Sequence, residues 1–324
     1  MSAPTLEILE PGFLSTIQDL GRRGYFAAGI PPSGAFDRFA LRVGNLLVGN
    51  HPGEAGIEMT LQGGRFRVLR DVVVALTGAD MEATQDGAAL PRWEALPLRA
   101  GTELACGVAG VGCRGYLCLA GGVDVPSVLG SKSTYLIGKL GGIRGRPLTT
   151  GDRLDAPPDV PAKPGRRLKP ALIPSYGSEV ELRVILGPQD DHVTEESARA
   201  FVTRPYKVSS RADRVGYRFE GPEFEFRERA KAIEAGSDPS NIVDDGNAIG
   251  AIQIPGGKEA ICMGPDGVSM GGYVKIACLI AADMDRMGQA KPWDTVHFRA
   301  VTHEEATAAL RDSLARASEA NLIG

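Results

Sequence analysis

Short apolar runs that stop at glycine recur along this chain. DVVVALTG (Asp71–Gly78), YLCLAGG (Tyr116–Gly122), ELRVILG (Glu181–Gly187), AIQIPGG (Ala251–Gly257) and EAICMG (Glu259–Gly264) are brief and rich in alternating or β-branched residues. Each is predicted to be a strand. Many short strands joined by Gly/Pro turns point to a mainly β protein with a few helices, built as barrels or sandwiches. Helical spacing appears in three places. In Ala35–Gly49, Phe36, Phe39, Ala40, Val43, Leu46 and Leu47 make one apolar stripe, with Ser33 as a candidate N-cap. Ile276–Gln289 reads as a second helix. HEEATAALRDSLARASEA near the C-terminus reads as a third, with acidic residues in its first turn and arginines later, as the helix dipole favours.

The pattern breaks over Asp155–Ser178, which is proline-rich, polar and aperiodic. This divides the chain into a β-rich subdomain over 1–158, a linker over 159–178, a second β-rich subdomain with a helix over 179–302, and a C-terminal helix within 303–324. TTGDRLDAP and KPWDTVHFRAV each place an Asp-containing turn before a β-like segment, a faint sign of two related halves.

Of the 324 residues, 43% are hydrophobic and 23% charged, enough for a sizeable core. The net charge of -4 and the absence of a basic stripe argue against nucleic acid as a partner. The densest basic stretch, KPGRRLKP (Lys163–Pro170), reads as solvated linker. No apolar run has the length of a membrane span, and MSAPTLEILEPG lacks the basic and apolar regions of a leader. The five cysteines are odd in number and without C-x-x-C spacing, and the four histidines are scattered. A reduced, cytoplasmic chain without a metal site is the expectation.

Chemistry concentrates where glycine mixes with polar residues. In IPPSGAFD (Ile30–Asp37), two prolines, Ser33 and Gly34 lead into a helix, either as a plain capped entry or as an anion-binding helix start. Asn45 and Asn50 read as turn and cap residues. GSKSTYLIGKLGGIRGRPLTTGD (Gly130–Asp152) lacks Walker spacing, so it is no nucleotide loop; Arg144 and Arg146 could face a polar cleft. In SSRADRVGYRFEG (Ser209–Gly221), Arg214 is either part of a surface ion pair or a fork for a carboxylate or ureido oxygen. GPDGVSMGGYVKIA (Gly264–Ala277) puts four glycines beside Asp266, Ser269, Tyr273 and Lys275, just after SDPSNIVDDGNAIGAIQIPGG. Gly271 and Gly272 either bring the backbone close to a flat ligand or form a tight turn. Asp266 and Lys275 offer opposite charges suited to proton transfer if buried, and spacing alone assigns neither a role.

Taken together, IQDLGRRGY, GIPPSGAFDRFALRVGNLLVGN, GIEMTLQGG, YLCLAGGV, LGSKSTY, GGIRGRPLTTGD, DRVGYRFEG, GAIQIPGG, GGYVKIA and ADMDRMGQAKPWDTVHF, in this order, resemble the biotin-dependent carboxyltransferase family over about residues 5–300. That family includes allophanate hydrolase subunit 2, the C subunit of ATP-dependent 5-oxoprolinase and the carboxyltransferase region of urea carboxylase. GPDGVSMGGY resembles the urea carboxylase version, whereas IQIPGG and GGYVKIA lean toward the standalone subunits. Trp293 stands where the family has glycine in a Pro-Gly-Asp turn.

The resemblance implies two cyclophilin-like β-barrel subdomains with the active site between them. It implies a carboxyltransferase-type subunit, inactive alone, that moves a carboxyl group from carboxybiotin to the nitrogen of a small urea, amide or lactam. The alternatives within the resemblance are the C subunit of an ATP-dependent 5-oxoprolinase, which opens a lactam without biotin, and a non-catalytic regulator of a kinase-inhibitor-like partner. With no Ala-Met-Lys-Met motif and no ATP-grasp pattern, biotin would be carried by a partner or carrier, and ATP would be used elsewhere in the complex. The implied partner is a first subunit of the kind found as allophanate hydrolase subunit 1 or as the B subunit of 5-oxoprolinase. For the site, Asp266, Lys275, Tyr273 and Arg214 are the catalytic candidates. Arg214 and Lys275 would bind negative charge, and Asp266 or Tyr273 would move a proton. Ser33, Asp37, Asn45, Gln253, Ser269, Gly271 and Gly272 are the ligand-binding candidates, with Gln253 and Ser269 hydrogen-bonding the ligand.

Overall fold

A computed structural model describes residues 3–158, 160–229 and 235–324; Asp159, at the head of the proline-rich segment, lies outside them. The protein is mainly β. Its contacts divide it into two compact units, one of Met1–Arg23, Ser33–Tyr176 and Ser313–Gly324, the other of Gly24–Pro32 and Gly177–Asp312.

The first unit holds a six-stranded and a five-stranded sheet. The five-stranded sheet runs in the order Leu14–Gln18, Gly56–Thr60, Arg114–Leu119, Val72–Gly78, Ala95–Leu98, and its neighbours pair antiparallel. The period of two explains the apolar runs. Val74, Leu76, Leu117 and Leu119 join one core cluster with Leu6, Ile8, Phe66 and Leu104 of the six-stranded sheet. The residues between them, Ala75, Tyr116 and Cys118, face the opposite way and pack with helix α1 (Arg38–Leu47) through Phe39, Ala40, Val43 and Leu47. Both faces are therefore buried, so these strands are apolar throughout. The strand expected at Tyr116–Gly122 begins at Arg114 and ends at Leu119.

The proline-rich segment is more than a linker. Arg167–Leu168 pairs with Leu322–Ile323, Leu168 is buried beside α1, and Arg166 bonds the Leu46 carbonyl and Glu319. Arg146, expected at a cleft, instead grips Asp152 through two hydrogen bonds of 2.7 Å.

In the second unit, seven strands close into a barrel in the order Glu179–Leu186, Lys275–Leu279, Ala251–Gln253, Ala260–Met263, Gly216–Glu220, Tyr206–Val208, Thr295–Ala300. Phe201, on helix α2 (Glu195–Thr203), stacks on Phe298 at 4.6 Å, and Phe298 also meets Tyr206 and Phe219 edge-on. Outside the barrel, Asn241–Gly246 and Met270–Tyr273 form a two-stranded ribbon. The helix expected over Ile276–Gln289 is mostly absent. Ile276–Leu279 lies in a barrel strand with a ladder on each side, and only Met284–Gln289 is helical, as α3. The buried Asp283 fixes the break: its carboxylate accepts from Arg183 N, Nε and Nη2 at 2.6 to 2.9 Å. The last helix, α4, spans His303–Arg316.

Candidate functional site

Ser33, Asp37 and Asn45 belong to the first unit; the other eight candidates belong to the second. The cap of α1 is Asp37 rather than Ser33. Asp37 is extended (φ -95°, ψ 91°), as a cap requires, and its Oδ1 accepts from Ala40 N at 2.9 Å. Its Oδ2 accepts from the Tyr176 hydroxyl. Ser33, four residues earlier, has φ 55°, and its buried Oγ has no hydrogen-bond partner among the described residues.

The loop ahead of α1 is held from below. Ala35 N bonds Asp19 O, Gly34 N bonds Gln18 Oε1, and Phe36 N bonds the buried Glu58 carboxylate. The Tyr116 hydroxyl donates to Glu58 at 2.7 Å and accepts from Asp37 N. Burial, with Glu58 beside it, pushes the Tyr116 phenol well above its ordinary value. At Gly34 (φ 89°), a Cβ would meet the backbone of Leu20 and Gly21 at 2.8 to 2.9 Å, so only glycine fits. Asn45 is a structural clamp. Its Nδ2 donates to Glu54 O and its Oδ1 accepts from Asn50.

In the second unit the glycine-rich stretch does three things. Gly264–Gly267 is a β-turn closed by Gly267 N to Gly264 O, with Pro265 and Asp266 at its centre. Asp266 lies in a buried two-point ion pair with Arg214, Nε to Oδ2 at 2.9 Å and Nη2 to Oδ1 at 3.1 Å. These two candidates thus bind each other. Further along, Met270–Tyr273 forms half of the ribbon, with Tyr273 exposed.

The third element is a polar cradle. Gln253 and Lys275 are cross-strand partners in the barrel. Gln253 Nε2 donates to Asn247 Oδ1 at 3.0 Å, while Asn247 bonds the Val268 and Ser269 carbonyls. The ribbon passes directly over this floor: a Cβ at Gly271 would lie 2.5 Å from Gln253 Nε2 and 3.0 Å from Asn247 Nδ2. Gly272 faces Asp244 on the neighbouring strand of the ribbon. Lys275 is only 2% exposed, and among the described residues its Nζ reaches one carboxylate, Asp245 Oδ2, at 3.5 Å. The Gly246 N–H and then the Lys275 charge hold the Asp245 carboxyl below its usual value. Gln189 brackets Lys275 from behind, accepting from its N–H at 2.9 Å and donating to its carbonyl at 3.0 Å.

Asp245, Asn247 and Gln189 were not singled out by sequence reasoning. The first two lie in the polar run DDGN, whose density was the available signal; Gln189 lies far away in sequence and gave none. Among the described residues no group of His, Cys, Asp and Glu could hold a metal ion, and no helix is long and apolar enough to cross a membrane.

The closed barrel, with a glycine-spaced ribbon lying over a cradle in which the Gln253 and Asn247 amides and the Lys275 ammonium converge, defines the fold and the candidate site. The chain belongs to the carboxyltransferase domain family, subdomains A and B, whose pattern it matches over residues 28–300. It is 36% identical to urea amidolyase of Saccharomyces cerevisiae over 92% of its length, and spans 17% of that much longer protein. It is 35% identical to the C subunit of 5-oxoprolinase of Escherichia coli, over 95% of this chain and 94% of that one. The crystal structure of Kluyveromyces lactis urea carboxylase superposes with a TM-score of 0.92 at 32% identity, covering all of this chain and 30% of that one.

Proposed function

We propose that the chain is the carboxyltransferase-type part of a multi-subunit enzyme, moving a carboxyl group from carboxybiotin, held by a partner or carrier, to a nitrogen of a small urea, amide or lactam. The observation that carries this reading is Lys275, a buried ammonium with, among the described residues, one long contact to a carboxylate. A buried cation calls for negative charge or oxygen acceptors close by. A carboxyl or ureido group suits it: Lys275 Nζ and the Gln253 amide supply donors, and Gly271 leaves the backbone free to come near. Donors fixed in advance where negative charge accumulates stabilise it without reorganising.

In this reading Arg214 and Asp266 act through structure, pinning the turn that leads into the ribbon. Tyr273 remains the candidate proton carrier, and Ser269 supports Asn247 through its carbonyl. A second reading, the C subunit of an ATP-dependent 5-oxoprolinase, is supported by the similarity that runs along 94% of the E. coli protein of that name.

The test is ATP turnover by the chain co-expressed with a first subunit resembling the B subunit of 5-oxoprolinase, given urea or 5-oxoproline, with and without bicarbonate and a biotinylated carrier. Turnover that requires biotin and bicarbonate supports carboxyl transfer. Turnover of 5-oxoproline without biotin replaces it with the lactam reading. Turnover indifferent to Lys275→Met overturns the role given to the cradle in both.

A further inference from the structure

The weakest link in the cradle is the one ion pair it makes among the described residues. Nζ of Lys275 lies 3.5 Å from Asp245 Oδ2, well beyond the ~2.7–2.9 Å of a charge-assisted hydrogen bond. The two partners are also placed unequally. Lys275 sits in a barrel strand at 2% side-chain exposure, whereas Asp245 sits on the ribbon at 55%. Among the described residues no other acidic group pairs with Lys275. Its cation is fixed and enclosed, and its counter-ion is peripheral and half in water.

The ribbon's ladder is irregular just ahead of this point. Its register shifts between Asn241 and Asp245, and Asp245 stands directly opposite Gly271, the residue without a side chain that covers Gln253. A carboxylate entering beside Gly271 would reach the same ammonium and the Gln253 amide, with Asp245, which also accepts from Gln189, turning outward into solvent.

We infer that Asp245 is a resident substitute for the ligand's own charge, and that the cradle takes a small molecule bearing a carboxylate, which displaces Asp245 from Lys275. The inference rests on reading the cradle as the ligand-binding part of the proposed function, and it adds the chemical class of the group bound and the residue with which that group competes. Removing a half-exposed competitor strengthens carboxylate binding by about two- to fivefold, the scale of a weak ion pair.

The experiment follows the side-chain amide resonances of Gln253 and Asn247 in the ¹⁵N-labelled full chain as sodium acetate is added, with acetamide as the neutral probe of the same shape. The wild type, Asp245→Asn and Lys275→Met are compared. Acetate is expected to bind Asp245→Asn about two- to fivefold more tightly than the wild type, to lose its effect in Lys275→Met, and to outdo acetamide in both Lys275-containing forms. Equal or weaker acetate binding in Asp245→Asn overturns the proposal, as does an equal gain for acetamide or the absence of any shift of these amides. Because the readout needs no turnover, failure of the enzymatic assay leaves this result standing, and failure here leaves the turnover result standing.

Discussion

Breaking the Arg214–Asp266 pair tests whether these residues serve the fold. Their side chains are 6% and 4% exposed, and two hydrogen bonds join them. The same two segments are stitched by Gly264 N to Val215 O and Asp266 N to Arg214 O. Asp266→Ala would take the carboxylate away from a buried guanidinium, and removing one partner of such a pair costs about 3–5 kcal/mol. Replacing both, as Arg214→Met with Asp266→Leu, removes both charges and is expected to return to within about 1 kcal/mol of the wild type. Urea unfolding of the wild type, Arg214→Met, Asp266→Leu and the double variant, followed by the fluorescence of Trp293 in a Trp93→Phe background, gives the coupling energy directly. Asp266→Ala within about 1 kcal/mol of wild type, or additive single effects, would refute the argument. The result also decides how activity data are read, because Asp266→Ala loses activity through instability if the reasoning holds. Asp266→Asn, which keeps an acceptor oxygen, separates the two causes.

Three further outcomes are expected. Trp293 occupies the third position of the Lys291–Asp294 turn with φ 77° and is 65% exposed, so Trp293→Gly should stabilise the second unit by about 1 kcal/mol, read as a raised urea midpoint. Burial pushes the Cys106 and Cys118 thiols up to about 12 from 9.0. Between those pH values the folded chain keeps protons that the unfolded chain releases, so the associated stability is whole below pH 9 and falls as pH rises toward 12. The slope is about 1 kcal/mol per pH unit for each thiol, and urea midpoints at pH 8 and 10 should differ less in the Cys106→Ala/Cys118→Ala protein than in the wild type, the remainder coming from the Cys262 and Cys278 thiols, which burial also pushes up. Gly271→Ala forces a methyl group onto the Gln253 amide, so turnover of the assembled enzyme should fall at least tenfold while the circular dichroism of the chain stays unchanged.

Much of the framework was legible because local patterns and tertiary context agree. The stripe on α1 faces the five-stranded sheet, and Val72–Gly78 alternates between two buried faces. The agreement fails at Ile276–Leu279, whose apolar residues fit a helix as well as a strand until ladders on both sides decide it. Ser33 looked like a cap because serine commonly is one, but its backbone is left-handed and Asp37 takes that role. For the site, density of glycine and polar residues located Gln253, Gly271 and Lys275 together. It did not show that Arg214 and Asp266 satisfy each other, or that Asp245 faces Lys275, since those pairings depend on barrel closure and on the ribbon folding back. The unusual residue in the Lys291–Asp294 turn was visible through the family resemblance, which puts glycine where this chain has Trp293.

The pairing of Leu322–Ile323 with Arg167–Leu168 has a consequence for biogenesis. The residues that finish the first unit are synthesised after those of the second, whereas the barrel is complete as soon as Ala300 has emerged from the ribosome. During translation the earlier half of the polypeptide must therefore wait, unfinished, while the later half folds ahead of it. A nascent chain stalled with Ala300 just outside the exit tunnel should already protect the barrel from protease, with the first unit gaining full resistance only once Ile323 has followed.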